Sequence, residues 1–146
     1  MNENIQEFVD QKKIIIVGAS RQGNKFGNSA ARELEQRGYE VFFVHPEAKE
    51  IEGHPTYPDL GTASHLAQSL WVSVPAEQGA QVLREAAKAG LKRVWLQQGA
   101  GSQELLTLGN DLDLQLISGK CILMYAEPVG SFHKFHQVIW KWIGKY

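Results

Sequence analysis

The fold is decided by one stretch near the N-terminus, Lys13-Ile14-Ile15-Ile16-Val17-Gly18-Ala19-Ser20-Arg21-Gln22-Gly23-Asn24-Lys25-Phe26-Gly27. A short run of β-branched residues ended by glycine is typical of a strand buried on both faces of a parallel sheet. Apolar or small residues then recur about one turn apart at Phe26, Ala30 and Leu34, and Gly38 follows as a helix stop. The stretch therefore predicts a strand, a glycine-rich turn and a helix over 26–37.

Strands and helices alternate along the rest of the chain. Further strands are predicted over 39–44, 70–74, 93–96 and 112–117, and helices over 76–89 and from a Ser102 cap to about residue 108. The connection over 46–58 is predicted to be irregular, with a turn of helix within 60–67. Strands that alternate with helices form βαβ units, whose right-handed crossovers place helices on both faces of the sheet. The predicted fold class is α/β: a doubly wound, Rossmann-type parallel sheet in three αβα layers.

Length and composition predict one globular domain over residues 1–146. The chain is 43% hydrophobic and 21% charged, and its net charge is -1. Residues 1–12 are interpreted as an N-terminal extension and residues 130–146 as a C-terminal helix. Because 15 Lys and Arg are set against 16 Asp and Glu with the signs mixed along the chain, broad nucleic-acid binding is not expected.

The single cysteine, Cys121, excludes an intramolecular disulfide and a cysteine-cluster metal site. The first residues are acidic rather than signal-like, and no stretch approaches the roughly 20 apolar residues that span a bilayer. We therefore expect a cytoplasmic protein without a membrane partner.

Ligands of doubly wound sheets bind beyond the carboxyl ends of the strands. The candidate ligand-binding loops are therefore 18–27, 45–49, 74–77, 97–101 and 118–121. In the first loop, backbone N–H groups and the positive end of a helix dipole favour an anion. Ser20, Arg21 and Lys25 could add bonds to a phosphate. The alternative is a tight turn with two solvated cations, and the glycines alone do not decide between the two.

Two better-known phosphate motifs fit this loop poorly. In a Walker A loop lysine follows the last glycine directly, but Asn24 intervenes here and Phe26 occupies the hydroxyl position. A dinucleotide site needs G-x-G-x-x-G and an acidic residue that closes the second strand, but the glycines fall at 18, 23 and 27 and His45 closes that strand. NAD is therefore disfavoured, although His45 or Lys49 could face a phosphorylated ribose.

Several segments together resemble a known family. They are Ile14-Ile15-Ile16-Val17-Gly18-Ala19-Ser20, Lys25-Phe26-Gly27, Gly38-Tyr39-Glu40-Val41, His45-Pro46, Val74-Pro75, Val94-Trp95-Leu96-Gln97-Gln98-Gly99-Ala100 and Gly119-Lys120-Cys121. In this order, over roughly 13–121, the chain resembles the small stand-alone CoA-binding proteins. That family is similar in turn to the N-terminal, CoA-binding domain of the succinyl-CoA synthetase alpha subunit.

The resemblance implies that coenzyme A lies across the strand ends. The diphosphate would lie near Ser20 and Lys25, the adenosine between the Pro46 loop and the Val74 turn, and the pantetheine end near Gln97. The implied binding residues are Gly18, Ala19, Ser20, Arg21, Gln22, Lys25, Phe26, His45, Pro46, Lys49, Val74, Pro75, Ala76, Gln97, Gln98 and Gly99. Lys49 matches the family lysine with an offset of one residue.

The expected function is non-catalytic binding of coenzyme A or an acyl-CoA, a small-molecule nucleotide ligand. Synthetases of the succinyl-CoA synthetase type carry a phosphorylatable histidine in a domain that follows the CoA-binding domain. This chain is too short to include that domain, so ligase activity is not expected of it. Two alternatives stay open: an enzyme acting on a CoA thioester or nucleotide, and an NAD(H)-linked redox-sensing domain.

Three further features have two interpretations each. His133 and His136, at i and i+3, could seat a metal but are interpreted as the polar face of the C-terminal helix. The aromatic residues of that helix favour domain closure or a homodimer contact over membrane binding. Cys121 is interpreted as core packing, with a mixed disulfide to CoA as the alternative.

Overall fold

The computed structural model describes residues 3–97 and 99–126, which form a five-stranded parallel sheet with helices on both faces. Numbered in chain order, the strands are β1 (Lys13–Val17), β2 (Glu40–Phe43), β3 (Glu50–Ile51), β4 (His54–Pro55), β5 (Ser69–Val72), β6 (Arg93–Gln97) and β7 (Gln115–Lys120). The sheet has the order β2-β1-β5-β6-β7, and β3 and β4 form a separate antiparallel hairpin. The predicted α/β, doubly wound parallel sheet is confirmed.

Five α-helices and one 3₁₀ turn complete the described part of the chain. They are α1 (Glu3–Asp10), α2 (Phe26–Gln36), α3 (Leu60–Ala63), α4 (Ala76–Lys88), α5 (Gln103–Asp111) and the 3₁₀ turn Ile122–Met124. Residues of α1, α2 and the 3₁₀ turn share one buried cluster, and residues of α3, α4 and α5 share the other. The sheet therefore separates two apolar cores, and the protein has three layers.

Strand β1 shows why an uninterrupted β-branched run is needed. Ile14 and Ile16 belong to the first cluster and Ile15 to the second, and all three side chains are fully buried. Because successive side chains of a strand point to opposite faces, a strand covered on both sides has no polar face. The run Ile14-Ile15-Ile16 therefore specifies a central strand.

Residues 1–12, interpreted from the sequence as an extension, contain α1. Its side chains Ile5, Phe8 and Val9 are buried in the first cluster, and the Phe8 ring lies edge-on to Trp95 with 5.2 Å between ring centroids. These apolar positions are three and four residues apart, which is the spacing of one helix face. Helix α1 thus covers part of the sheet.

The last strand differs from its prediction, because β7 begins at Gln115 and not at residue 112. Leu112 and Leu114 complete the end of α5, where Leu114 N–H donates to the Gly109 carbonyl over 2.9 Å and Asp113 has a φ of 60°. This is a helix-terminating pattern that uses a left-handed residue. Both leucines pack in the core at the end of the helix. In the sequence they resemble the first apolar residues of a strand.

The order of the strands fixes where a crevice can open. The chain leaves β1 for β2 on one side and later crosses to β5 on the other side of β1. The carboxyl ends of β1 and β5 therefore form a topological switch point, which is where doubly wound sheets bind ligands. Within residues 3–97 and 99–126 no helix is long and apolar enough to cross a membrane.

Candidate functional site

The glycine-rich turn between β1 and α2 is organised by Asn28, a residue that the sequence analysis did not single out. Asn28 is fully buried; its Oδ1 accepts from the backbone N–H of Ser20 at 2.9 Å and of Lys25 at 3.3 Å. Its Nδ2 donates to the Ser20 carbonyl at 2.9 Å. One side chain thus fixes both ends of the turn. Its position, third in the helix, is where a capping-box side chain normally reaches back, and this is the signal that could have identified it.

Two glycines of this turn are required by the sheet itself. A Cβ on Gly18, whose φ is +123°, would lie 2.2 Å from the Ser73 carbonyl oxygen, and a Cβ on Gly27 would lie 2.5 Å from the Gly18 carbonyl oxygen. Both clashes are with backbone, so neither can be relieved by moving a side chain. Gly18 lets the ends of β1 and β5 meet, and Gly27 lets α2 approach the end of β1.

Three helices begin at this edge of the sheet, and their first turns differ. Ser102 caps α5, because its hydroxyl accepts from the Leu105 N–H at 3.2 Å. Lys25 and Pro75 stand at the N-cap positions of α2 and α4 and offer no side-chain acceptor there. The positive ends of α2 and α4 are therefore left to another acceptor, and they follow the two strands of the switch point.

Cations lie next to the open end of α2. Arg21, Gln22 and Lys25 are exposed, while Ser20 is 8% exposed and its hydroxyl lies 3.0 Å from the Asn24 Oδ1. A helix N-terminus with exposed lysine and arginine beside it is a favourable place for an anion. The predicted phosphate-binding residues are thus brought together around one helix N-terminus.

The β3–β4 hairpin reaches this turn from the other side through Glu52, which the sequence analysis also missed. Glu52 Oε2 accepts from Asn28 Nδ2 at 2.9 Å and from Arg32 Nη1 at 2.6 Å. A Cβ built on Gly23 would lie 3.5 Å from the same oxygen. The hairpin lies within a segment of the sequence predicted to be irregular, where two-residue strands leave too weak a pattern to detect.

The loop after β2 contains the residues expected at the adenosine. His45 Nδ1 accepts from the backbone N–H groups of Glu47 at 3.0 Å and Ala48 at 2.8 Å, which leaves Nε2 as the ring nitrogen that can donate. Pro46 and Lys49 are exposed. His45 therefore shapes its own loop with one nitrogen and has a donor on the other.

The turn after β5 lies directly against the glycine-rich turn. Ser73 N–H donates to the Val17 carbonyl at 2.9 Å, which extends the pairing of the two strands to their ends. Val74 and Ala76 are half-buried and Pro75 is exposed. These three predicted residues thus line the second side of the switch point.

The side chain of Gln97, predicted to lie near the pantetheine end, is in the core. Its side chain is 1% exposed, and its Oε1 accepts from Trp71 Nε1 at 3.0 Å and from the Ile122 N–H at 3.2 Å. The side chain therefore joins β5, β6 and the 3₁₀ turn inside the core. Gly99 is exposed with a φ of +94°, and Gln98 lies outside the described residues.

Cys121 lies beside Gln97 at the end of β7 and is 3% exposed. Burial raises the pKa of the Cys121 thiol, and hydrogen bonding to Gln97 and to the Leu123 backbone offsets part of that rise. A buried thiol with a raised pKa is a poor nucleophile, so the structure supports the packing interpretation. His133, His136 and the predicted C-terminal helix lie outside the described residues.

Other clefts of the protein lie away from the predicted binding residues. The cleft at the amino ends of β1 and β5 has a volume of about 480 Å³ and is lined by Lys12, Lys13, His65 and their neighbours. Another, of about 360 Å³, lies between α3 and the end of α4. In residues 3–97 and 99–126 no group of three or more His, Cys, Asp or Glu side chains could hold a metal ion.

Comparison with known proteins supplies the family. A family model described as CoA binding domain matches residues 12–127. The ADP-forming acetate–CoA ligase I of Archaeoglobus fulgidus is 23% identical over 137 residues, which cover 87% of this chain and 20% of that ligase. The chain thus spans about a fifth of the length of this curated relative.

Two solved structures are similar over most of their own length. A hypothetical protein from Pyrococcus horikoshii OT3 is 26% identical with a TM-score of 0.78, and the match covers 87% of this chain and 90% of that chain. A conserved hypothetical protein from Pyrococcus furiosus is 35% identical with a TM-score of 0.71, and the match covers 75% of this chain and 95% of that chain. Because the family model spans well over half of the sequence, this chain belongs to the CoA-binding domain family.

Proposed function

We propose that the protein binds coenzyme A or an acyl-CoA without turning it over, with the ligand diphosphate at the start of α2. The observation that carries this proposal is the first turn of α2: it lies at the switch point, has lysine in place of a capping side chain, and is flanked by exposed Arg21 and Lys25. An open helix N-terminus with charged donors is a favourable place for phosphate oxygens.

The rest of the ligand is oriented by the neighbouring loops. The adenosine would lie between the His45–Lys49 loop and the Val74–Ala76 turn, where the His45 Nε2–H and the Lys49 ammonium can donate. The pantetheine would extend over β6 towards Gly99, whose backbone is exposed. Gln97 supports this side from within the core and does not present its side chain to the ligand.

Support for a binding role over a catalytic one comes from the nucleophiles and bases near the strand ends. Cys121 is buried with a raised pKa, and His45 uses Nδ1 to hold its own loop. An enzyme acting on a CoA thioester would need an accessible nucleophile or base there. The curated relative is named as an acetate–CoA ligase, so thioester turnover is the activity to assay against.

Calorimetric titration with CoA, acetyl-CoA, NADH and ATP tests the proposal. We expect CoA and acetyl-CoA to bind with similar affinity, and NADH to bind more weakly because His45 stands where a ribose-binding carboxylate would be needed. Preference for NADH, or hydrolysis of acetyl-CoA during the titration, would replace this function with the redox-sensing or the enzymatic alternative.

The charge swap Lys25→Glu tests the place of the diphosphate. A charge-assisted bond is worth about 1.5–3 kcal/mol, and the swap adds repulsion, so CoA affinity should fall by more than about tenfold while the fold is kept. The matched control is Lys13→Glu, an exposed residue at the amino end of β1 and so at the opposite edge of the sheet from the proposed site; its effect should stay below about threefold. Equal losses of CoA affinity in the two variants would show that the diphosphate does not bind at the start of α2.

A further inference from the structure

The β3–β4 hairpin places a carboxylate against a turn that is otherwise suited to an anion. Glu52 Oε2 contacts Asn28 and Arg32, and its side chain is 15% exposed. Glu52 also has a φ of 52°, in the left-handed region that disfavours residues other than glycine. A negative charge near the proposed diphosphate and a left-handed backbone are both energetically unfavourable. The contact of Glu52 with Asn28 must therefore stabilise the turn enough to offset them.

The contribution is a second acceptor for Asn28 Nδ2, which reinforces the amide orientation that the Ser20 backbone favours. The two ends of an amide have nearly the same shape, so packing alone does not decide which end points where. The Glu52 carboxylate can accept but not donate, and it therefore attracts Nδ2. With Nδ2 held there and on the Ser20 carbonyl, Oδ1 is left facing the N–H groups of Ser20 and Lys25, as observed.

Arg32 limits the electrostatic cost. Its Nη1 lies 2.6 Å from Glu52 Oε2, so the carboxylate is paired with a cation. Arg32 is half exposed, and such a pair contributes little to overall stability. Its effect is to leave Arg21 and Lys25 as the charges that a ligand meets.

The hairpin also continues into the loop of the second strand. Thr56 N–H donates to the Lys49 carbonyl at 3.2 Å, and the Thr56 hydroxyl donates to the Ala48 carbonyl. The segment that carries Glu52 is thus fixed to the loop that carries His45 and Lys49. The two walls of the proposed ligand site, for diphosphate and adenosine, are connected through one hairpin.

We infer that Glu52 is a positioning residue of the nucleotide site: through Asn28 it holds the Ser20–Lys25 turn in the conformation that receives the diphosphate, and it joins that turn to the adenosine loop. This inference rests on the proposed function. Glu52 acts on the ligand site through Asn28, with which it is in contact. The chemistry it uses is the selection of one amide orientation by a carboxylate.

The test compares Glu52→Ala, Glu52→Gln and the matched control Glu50→Ala, which removes an exposed carboxylate from the same hairpin. We expect Glu52→Ala to weaken CoA binding about tenfold, Glu52→Gln to recover most of the loss because its amide oxygen can still accept, and Glu50→Ala to bind like the wild type. Amide hydrogen exchange should be faster at Ser20 in Glu52→Ala, with β1 unchanged.

Each contrary outcome is separable from failure of the proposed function. Unchanged CoA affinity in Glu52→Ala, or faster exchange spread evenly over β1 and α2, overturns the positioning role. If wild-type protein does not bind CoA, the proposed function fails, and exchange at Ser20 still decides whether Glu52 orders the turn. Should Glu52→Ala not fold, Glu52→Gly removes the same carboxylate while relieving the left-handed backbone, and the same outcomes apply to it.

Discussion

The turns that lead into α2 and α5 resemble each other in sequence but are built in opposite ways. Both follow a buried strand, contain glycines and include a fully buried amide, Asn28 in one and Gln97 in the other. Asn28 bonds to the backbone of its own turn, whereas Gln97 bonds away from its turn, to Trp71 and Ile122. The first helix has an open N-terminus, and the second is capped by Ser102.

The part of this difference that bears on ligand binding is the state of the two helix N-termini. Glycines at the end of a strand show only that the backbone must bend or come close to another element. What distinguishes the two turns is where the polar groups go: the α5 turn has its own acceptor for a helix N–H, and the α2 turn provides cations instead. On these grounds we propose the phosphate site at the α2 turn and not at the α5 turn.

The largest expected effect is on folding and comes from Gly27→Ala. Alanine normally stabilises a helix relative to glycine by about 0.5–1 kcal/mol, but here its Cβ would lie 2.5 Å from the Gly18 carbonyl oxygen. Since backbone must move, we expect the free energy of unfolding to fall by about 3 kcal/mol or more, as measured by urea denaturation.

Gly101→Ala is the matched change in the α5 turn. Its Cβ would lie 3.3 Å from the Ser118 Cβ, a side-chain contact that a small shift relieves. We expect a loss below about 1 kcal/mol. If the two alanines cost the same, close packing of α2 on the end of β1 is not the reason for Gly27.

The sequence predicts those features of the fold that one residue type signals locally. The run Ile14-Ile15-Ile16 predicts a strand buried on both faces, the pattern after Pro75 predicts a helix from residue 76, and Ser102 predicts the cap of α5; all three are confirmed. The start of β7 was wrong because Leu112 and Leu114 are apolar for a different reason, as they end α5. Periodicity does not distinguish a buried strand from a buried helix end.

Residues of the proposed site could be grouped from the sequence only where neighbours in sequence are neighbours in space. The turn from Gly18 to Gly27 is continuous, so its residues were identified together. The partnership of Asn28 with Glu52 spans 24 residues, and the bonds of Gln97 to Trp71 and Ile122 span 26 and 25 residues. A single sequence gives no measure of such contacts, and for this reason the contact of Glu52 with Asn28 and the bonds of the Gln97 side chain were not predicted.

A smaller effect, with opposite signs in the two turns, is expected from their capping residues. The backbone of Lys25 has the extended conformation of an N-cap, so Lys25→Ser should add a capping bond and raise the free energy of unfolding by about 0.5–1 kcal/mol. The same change should weaken CoA binding about tenfold, because it removes a cation and occupies the open helix end.

Ser102→Ala and Lys25→Ala complete this comparison. Ser102→Ala should lower the free energy of unfolding by about 1 kcal/mol and leave CoA affinity unchanged. Lys25→Ala removes the cation without adding an acceptor, so it should weaken binding without the gain in stability. Thermal melts and CoA titrations of the three variants measure the changes in stability and in CoA affinity. A Lys25→Ser protein that is more stable and binds CoA as tightly as the wild type would contradict a role of the open N-terminus of α2 in binding.

The smallest effect is expected at Cys121, which lies beside Gln97 at the end of β7. A mixed disulfide with CoA requires the thiolate, and burial raises the pKa of this thiol, so little thiolate is present at neutral pH. The raised pKa also fixes the sign of the pH dependence: the buried thiol stays neutral in the folded protein, so stability from this group is complete below the ordinary thiol pKa and declines as the pH rises above it.

After incubation of the native protein with oxidised CoA at pH 7, intact-mass spectrometry should show no CoA-sized adduct. The same incubation in denaturant should give an adduct that dithiothreitol removes and that Cys121→Ser lacks. An adduct on the native protein would show that Cys121 is reached from the ligand side, and the β6–β7 edge would then have to open where the structure closes it with Gln97.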